Sequence, residues 1–181
     1  SGELLMDKIG FIGLGNMGFF MSKNLVENGF SVDGFDLSEN ALQKMKHTDV
    51  NISKTFEEVC KNKNFIITML PNGNAVKSVW NDAIKFINND TIMLDCSTID
   101  INVAQDLHEF CKNKNIESID APVSGGTIGA ENGTLTFIVG GSKKIYAKVK
   151  PLFDIMGQKS ILCGEGGSGQ ATKLCNNLLL A

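Results

Sequence analysis

The sequence of 181 residues contains no arginine, so its 17 basic side chains are all lysines, and 20 acidic residues bring the formal net charge to −3. Arginine supplies the planar fork that binds phosphates and guanine bidentately, and its absence argues against a nucleic-acid partner. Only 3 prolines are present, and 43% of the residues are hydrophobic. This composition is typical of one folded globular domain and not of a disordered chain.

Long apolar runs are also missing, because stretches such as 65–70 are much shorter than the roughly 18 residues that cross a bilayer. No basic-then-apolar signal segment opens the chain, so we expect an intracellular protein without a membrane partner. The five cysteines are widely spaced and include no CxxC pair, which argues against a disulfide framework and a zinc site. We expect no metal, and we interpret His47 and His108 as structural or surface residues.

Apolar β-branched runs alternate with amphipathic segments along the whole chain. This alternation predicts an α/β fold in which a doubly wound, mostly parallel sheet carries helices on both faces. Strands are predicted over 8–13, 30–36, 65–70, 91–95, 116–119, 135–139 and 160–162, and helices over 17–28, 38–45, 55–61, 75–80, 101–113, 143–156 and 170–181.

A dinucleotide fingerprint occupies the first βαβ unit. Gly13-Leu14-Gly15-Asn16-Met17-Gly18 follows the first predicted strand and opens the first helix, and Asp36 ends the next strand 18 residues later. The glycines permit a tight turn, a close backbone approach to a pyrophosphate, and close packing of helix on strand. A carboxylate at Asp36 accepts hydrogen bonds from ribose hydroxyls and repels a 2′-phosphate, so NAD is favoured over NADP. The other interpretation of Asp36 is a cap of the following helix.

Two further segments indicate a substrate site. Residues 120–126 are rich in glycine, and the exposed N–H groups of such a turn, with the Ser124 hydroxyl, suit a carboxylate. The alternative is a loop whose glycines serve turn geometry alone. Lys173 and Asn177 lie four residues apart on a predicted helix and share one face. Near the start of that helix the dipole disfavours the charged form of Lys173, which could then accept a proton, unless it is an ordinary solvated lysine.

Together these segments resemble the β-hydroxyacid dehydrogenase family over nearly the whole chain. The resemblance depends on residues 11–18, 67–71, 95–100, 120–126, 135–141 and 169–177. It implies that Leu70 and Pro71 line the cofactor groove and that Thr98 lies near the nicotinamide. It also implies that Ser124, Gly125 and Gly126 hold the substrate, that Lys173 is the catalytic acid/base, and that Asn177 orients the substrate.

The resemblance further implies a domain plan and an activity. Residues 1–7 are expected to be a tag remnant or an N-terminal lead, 8–166 a Rossmann-like NAD-binding domain, and 167–181 the start of an interdomain catalytic helix. The family's C-terminal all-helical domain, which closes the site and forms subunit contacts, is absent from these residues, and a homo-oligomer is expected of the full-length protein. The implied reaction is NAD-dependent oxidation of 3-hydroxyisobutyrate to methylmalonate semialdehyde in valine catabolism, in the mitochondrial matrix of a eukaryote or otherwise in the cytoplasm. Two alternatives remain: a reductase of succinic or tartronate semialdehyde, and a non-catalytic dinucleotide-binding module.

Overall fold

The computed structural model describes residues 6–180, with side chains through residue 174. Within this part of the chain the strands are β1 (Lys8–Ile12), β2 (Ser31–Phe35), β3 (Asn51–Ile52), β4 (Phe65–Thr68), β5 (Ile92–Asp95), β6 (Ser118–Asp120), β7 (Val123–Ser124), β8 (Leu135–Gly140) and β9 (Gly157–Gly164). The helices are α1 (Asn16–Glu27), α2 (Glu39–Met45), α3 (Phe56–Cys60), α4 (Gly73–Ala83), α5 (Ile101–Asn113), α6 (Gly126–Asn132), α7 (Lys143–Met156) and α8 (Ser168–Leu180).

All described strands belong to one sheet in the order β3-β2-β1-β4-β5-β6-β8-β7, with β9 also paired to β8. The strands from β3 to β6 pair in parallel, as do β8 and β9, whereas β8 runs antiparallel to β6 and β7. The predicted doubly wound, mostly parallel α/β fold is therefore confirmed. Its order reverses between β1 and β4, and such a switch point is where open α/β sheets bind ligands.

Burial on both faces explains why the central strands are continuous apolar runs. All four residues of β4 and of β5 are buried, and side chains alternate between two cores. Phe11, Ile67 and Leu94 face one core, which α1 and α7 cover, and Ile66 and Met93 face the other. Parallel strands covered on both faces are expected to show this pattern instead of polar alternation.

Several helices begin at a side chain that caps their first turn, but α1 does not. The side chains of Ser38, Asn72 and Ser142 each accept a hydrogen bond from the N–H three residues later, which satisfies one free donor of α2, α4 or α7. The cap position of α1 is Gly15, which makes no such bond. The first N–H groups of α1 therefore stay available to a ligand.

The segment 120–133 differs from the prediction of a glycine-rich turn, because it contains the short strand β7 and the helix α6. Gly126 and Gly129 give α6 a low intrinsic helix propensity. Tertiary contacts override it: Asn24 of α1 donates to the Ala130 carbonyl over 2.8 Å, and Gly129 and Ala130 are buried. Strand β3, only two residues long, was also not predicted.

Candidate functional site

An open cleft of about 840 Å³ lies at the carboxyl ends of β1, β2 and β4. The predicted cofactor residues among those lining it are Gly13, Gly15, Asn16, Met17, Gly18, Asp36, Leu70 and Pro71. The fold thus brings together the fingerprint, the acid after β2 and the Leu70-Pro71 pair. These groups are separated by up to 58 positions in the sequence but share one edge of the sheet.

The three fingerprint glycines meet different geometric demands. Gly13 has a φ of +100°, and a Cβ there would overlap the Met69 carbonyl oxygen. A Cβ on Gly18 would overlap the Gly13 carbonyl oxygen, so only glycine lets α1 approach the turn this closely. A Cβ on Gly15 would meet no atom within 4 Å and would project into open space. This open position at an uncapped helix start is suited to a pyrophosphate.

Asp36 is fixed by backbone donors on both of its oxygens. The Leu14 N–H donates to Oδ2 over 2.7 Å and the Ser38 N–H donates to Oδ1 over 2.8 Å. Leu14, predicted as a cofactor residue, buries its side chain and uses its N–H on Asp36. Each carboxylate oxygen has two lone pairs, so acceptor capacity remains for ribose hydroxyls at the cleft.

The opposite wall of the cleft was not predicted. It comes from α3 and α4, where Phe56, Ala75 and Val79 provide apolar surface, and from Leu37, which is 91% exposed at the mouth. No lysine is among the described residues that line the cleft. An apolar wall of this kind suits the flat adenine ring of a dinucleotide, and only the helical spacing of apolar residues on α4 signalled it in the sequence.

The loops after β4 and β5 are joined by buried polar contacts. Ser97 Oγ accepts from the Leu70 N–H over 2.8 Å, and Asp95 Oδ1 accepts from Thr68 Oγ1 over 2.9 Å and from the Ser97 N–H over 3.1 Å. Burial raises the pKa of the Asp95 carboxyl from 3.8 to about 7. Thr98 follows on the same loop and is exposed, but it is not among the described residues lining the cleft.

The predicted substrate turn is exposed beside the start of α1. Ser124, Gly125 and Gly126 are all exposed, and Gly125 and Gly126 have φ values of +129° and +63° that favour glycine. The next residue, Thr127, borders a depression of about 440 Å³ together with Gly15. The turn therefore lies next to the fingerprint, although its three residues do not line the main cleft.

Lys173 lies on α8 and is partly buried, which lowers the pKa of its amine. Desolvation is the cause that the geometry identifies, whereas the sequence argument had relied on the helix dipole. The backbone of Asn177 belongs to the same helix, but the side chain predicted to orient the substrate lies outside the described residues.

Sequence reasoning missed two residues that hold α8 in place, Asp120 and Gln170. The Asp120 carboxylate accepts from the Gly167 N–H over 2.6 Å and from the Gln170 N–H over 3.1 Å. The Gln170 side chain donates to the Ser97 carbonyl oxygen over 2.6 Å. Both residues stand in the segments that carried the family resemblance, which was the only available signal.

The described residues were also expected to hold no metal and no membrane-spanning helix. Within the described residues, no group of three or more His, Cys, Asp or Glu side chains could hold a metal ion. No helix in that part of the chain has the length and apolar character to cross a membrane. His108 lies on α5 with Nδ1 3.0 Å from Ser118 Oγ, and His47 is exposed on the loop after α2.

A mostly parallel sheet with a switch point, a glycine turn and an uncapped helix beside an acidic residue defines a dinucleotide-binding domain. The chain belongs to the family described as the NAD binding domain of 6-phosphogluconate dehydrogenase, whose profile matches residues 8–164.

Relatives with assigned names match almost all of this chain. It is 43% identical to the mitochondrial 3-hydroxyisobutyrate dehydrogenase of Drosophila melanogaster, over 96% of this chain and 54% of the relative. It is 37% identical to the NAD-dependent L-serine dehydrogenase of Pseudomonas aeruginosa, over 97% of this chain and 60% of the relative. The resemblance inferred from the sequence is thus confirmed for the part of these enzymes that the chain spans.

A solved structure agrees with the fold. The 3-hydroxyisobutyrate dehydrogenase of Mycobacterium tuberculosis with L-serine superimposes with a TM-score of 0.94 at 38% identity, covering 97% of this chain and 60% of that one. The chain spans little more than half the length of the relatives it matches, so activity is considered below as a proposal.

Proposed function

We propose that this chain is the cofactor-binding part of an NAD-dependent dehydrogenase that oxidises 3-hydroxyisobutyrate to methylmalonate semialdehyde. The observation that carries the proposal is the coexistence of a dinucleotide cleft with a partly desolvated lysine on α8. Relatives named for this reaction, at up to 43% identity, support the substrate. Residues 8–166 form the cofactor domain in this proposal, and 167–181 begin the helix that connects it to the remainder of the enzyme.

The residues present fit a bound dinucleotide. The start of α1 and the open space at Gly15 receive the pyrophosphate, while Asp36 accepts hydrogen bonds from the adenosine ribose. A carboxylate beside a 2′-phosphate is unfavourable, and the chain has no arginine to offset it, so NAD is the proposed cofactor. Among the described residues that border the neighbouring depression, Lys44 is the one cation. Because a lysine can bind a 2′-phosphate, NADP is the alternative cofactor that a binding experiment has to exclude.

The proposed chemistry divides between the bound cofactor and the chain's side chains. Bound NAD supplies the hydride acceptor. Lys173 takes the proton of the substrate hydroxyl, for which its amine must be neutral, and partial burial favours that neutral form. The turn at Ser124–126 donates hydrogen bonds to the substrate carboxylate, and Asn177 orients the hydroxyl-bearing carbon. No metal is required, because the amine and the turn supply the base and the anchor.

L-Serine is the second candidate substrate. Like 3-hydroxyisobutyrate it is a 3-hydroxypropanoate with a primary hydroxyl at carbon 3, and it carries an amino group at carbon 2 in place of the methyl group. Both the Pseudomonas relative and the Mycobacterium structure carry serine in their names. Reduction of succinic or tartronate semialdehyde and cofactor binding without catalysis are the remaining outcomes. The mitochondrial names of relatives from Drosophila and Dictyostelium support a mitochondrial location if the source is eukaryotic, and we propose the matrix and valine breakdown as the setting of the reaction.

The test is a substrate panel with the natural polypeptide in its full length. Oxidation of 3-hydroxyisobutyrate and L-serine with NAD is compared with reduction of the two semialdehydes, for wild type and Lys173→Ala. We expect 3-hydroxyisobutyrate to give the highest kcat/KM, and Lys173→Ala to lower kcat by about 10²-fold or more with NAD affinity unchanged.

The matched control is Lys159→Ala, since Lys159 is exposed on β9, outside the cleft and outside α8. A higher kcat/KM for L-serine would replace the proposed substrate. Retention of activity within tenfold by Lys173→Ala would reject the acid/base role, and wild type that binds NAD but turns over no member of the panel would favour the non-catalytic module.

A further inference from the structure

A buried carboxylate holds the first turn of α8 against the sheet. Asp120 ends β6, is 6% exposed, and accepts hydrogen bonds from the N–H groups of Gly167 and Gln170. Acceptors at a helix start satisfy donors that have no partner within the helix, and a negative charge there also interacts favourably with the helix dipole. Asp120 is therefore attached to the helix through backbone atoms of residues 167 and 170 and not through a side chain of α8.

Two glycines leave the space that this carboxylate occupies. A Cβ on Gly140 of β8 would lie 2.7 Å from the backbone nitrogen of Gly169. A Cβ on Gly169 would lie 2.8 Å from Asp120 Oδ2. Both distances are shorter than any ordinary carbon contact, so larger residues at either place would push α8 off the sheet. Asp120 can therefore reach the start of α8 only because the two glycines let α8 lie this close to β8.

Gln170 forms a second attachment, on a different loop. Its Nε2 donates to the Ser97 carbonyl oxygen over 2.6 Å, and its Oε1 accepts from the Ile99 N–H over 3.2 Å. The side chain is 2% exposed. The two bonds reach the residues immediately before and after Thr98, so one amide group holds the loop on both sides of that residue.

These attachments fix the rotation of α8 about its own axis. Gln170 precedes Lys173 by three positions and Asn177 by seven, and residues at such spacings follow one stripe of a helix. A point on the outer surface of a helix lies about 5–6 Å from the axis, so a rotation of about 10° moves it by about 1 Å. Misplacement of a reacting group by about 1 Å can lower a rate by about 10²-fold.

We propose that Gln170 and Asp120 are positioning residues, which orient the Lys173 side of α8 toward the Thr98 loop without touching substrate or cofactor themselves. This inference rests on the proposed function, because it assigns Lys173 the part of acid/base. Asp120 fixes the position of the helix start and Gln170 fixes the rotation. The bidentate contact around Thr98 distinguishes this arrangement from simple packing, because an apolar side chain of the same size would fill the space equally well.

The test compares Gln170→Ala with Gln158→Ala in the full-length protein, since Gln158 is an exposed glutamine on β9. For Gln170→Ala we expect kcat to fall by about 10- to 100-fold at a temperature well below unfolding, with KM and NAD affinity changed by less than about threefold. Gln170→Glu keeps the length of the side chain but places an oxygen in front of the Ser97 carbonyl, so it should be at least as slow. If Gln170→Ala does not fold, the kcat of Gln170→Glu tests the positioning role in its place.

A purely structural role would lower the melting temperature and leave kcat unchanged, and that result would overturn the proposal. So would full activity of Gln170→Glu. If the wild type turns over no substrate of the panel, that result rejects the proposed function but not the positioning role. Amide hydrogen exchange then tests whether Gln170 holds α8 in place. Gln170→Ala should then speed exchange at α8 and at 97–99 by tenfold or more without changing β1 or α1. Unchanged exchange at α8 would reject the positioning role.

Discussion

Replacement of Asp95 by asparagine should change how the stability of the protein depends on pH. Asp95 is 2% exposed at the end of β5, and within the described residues its Oδ2 has no hydrogen-bond partner. Burial, opposed by hydrogen bonds from Ser97 and Thr68 and reinforced by the charge of Asp120, raises its pKa from 3.8 to about 7. The folded protein therefore retains a proton that the unfolded chain releases near pH 4.

The sign and size of the effect follow from this difference. Between pH 4 and pH 7 folding takes up a proton at Asp95, so the stabilising contribution of this group is complete at low pH and is lost as pH rises through 7. A raised pKa of this size makes the contribution about 2–3 kcal/mol smaller at pH 8 than at pH 5. An asparagine at this position does not titrate. The free energy of unfolding of the variant, minus that of wild type, should therefore rise by about 2–3 kcal/mol between pH 5 and pH 8.

Urea unfolding of wild type and Asp95→Asn at four values from pH 5 to pH 8 measures the difference. Subtracting the two curves cancels the titration of all other groups that the substitution leaves unaffected. Asp90→Asn is the matched control, because Asp90 is exposed on the loop before β5 and its substitution should give a flat difference curve. A difference between wild type and Asp95→Asn that stays constant across this range would refute the reasoning.

Two further predictions concern the fingerprint and the choice of cofactor. Gly18→Ala, whose Cβ overlaps the Gly13 carbonyl, should destabilise the fold by about 1–3 kcal/mol in thermal unfolding. Gly15→Ala should leave stability unchanged and weaken NAD binding about tenfold, because its Cβ projects into the open space. Equal stability losses in the two variants would contradict these roles. Asp36→Ala should weaken NAD about tenfold in a fluorescence titration and NADP less, because it removes both the ribose acceptor and the charge that opposes a 2′-phosphate. A wild type that binds NADP more tightly than NAD would reject this role, and Lys44→Ala would then identify the cation responsible.

Local patterns were sufficient to predict the cofactor half of the fold. The β1–α1–β2 unit consists of consecutive elements joined by short turns, and a carboxylate at the end of the second strand necessarily lies near the first turn. The structure adds the reason for each glycine, since Gly18 must accommodate the Gly13 carbonyl while Gly15 leaves open space. Such contacts between neighbouring elements can be inferred from spacing alone.

The second half of the site could not be predicted in this way. The attachments of α8 join positions far apart in the sequence: Gly167 to Asp120 is a separation of 47 residues, and Gln170 to Ser97 one of 73. No periodicity links such residues. Helix α6 was missed for a related reason, because its glycines oppose a helix until burial against α1 compensates for them.

Two neighbouring buried carboxylates connect these distant segments: Asp95 joins the ends of β4 and β5, and Asp120 attaches the start of α8. Asp95 and Asp120 are direct partners in the pairing of β5 with β6, so their charges interact unfavourably. Burial raises the pKa of both carboxyls, but the two backbone N–H groups that donate to Asp120 oppose that rise, whereas Asp95 has one oxygen without a partner within the described residues and retains its proton more easily. When Asp95 is protonated and neutral, it does not repel the negative charge of Asp120, and it is this charged carboxylate that accepts the hydrogen bonds from the start of α8. Ionisation of Asp95 at high pH should weaken that attachment, and asparagine at this position should preserve it.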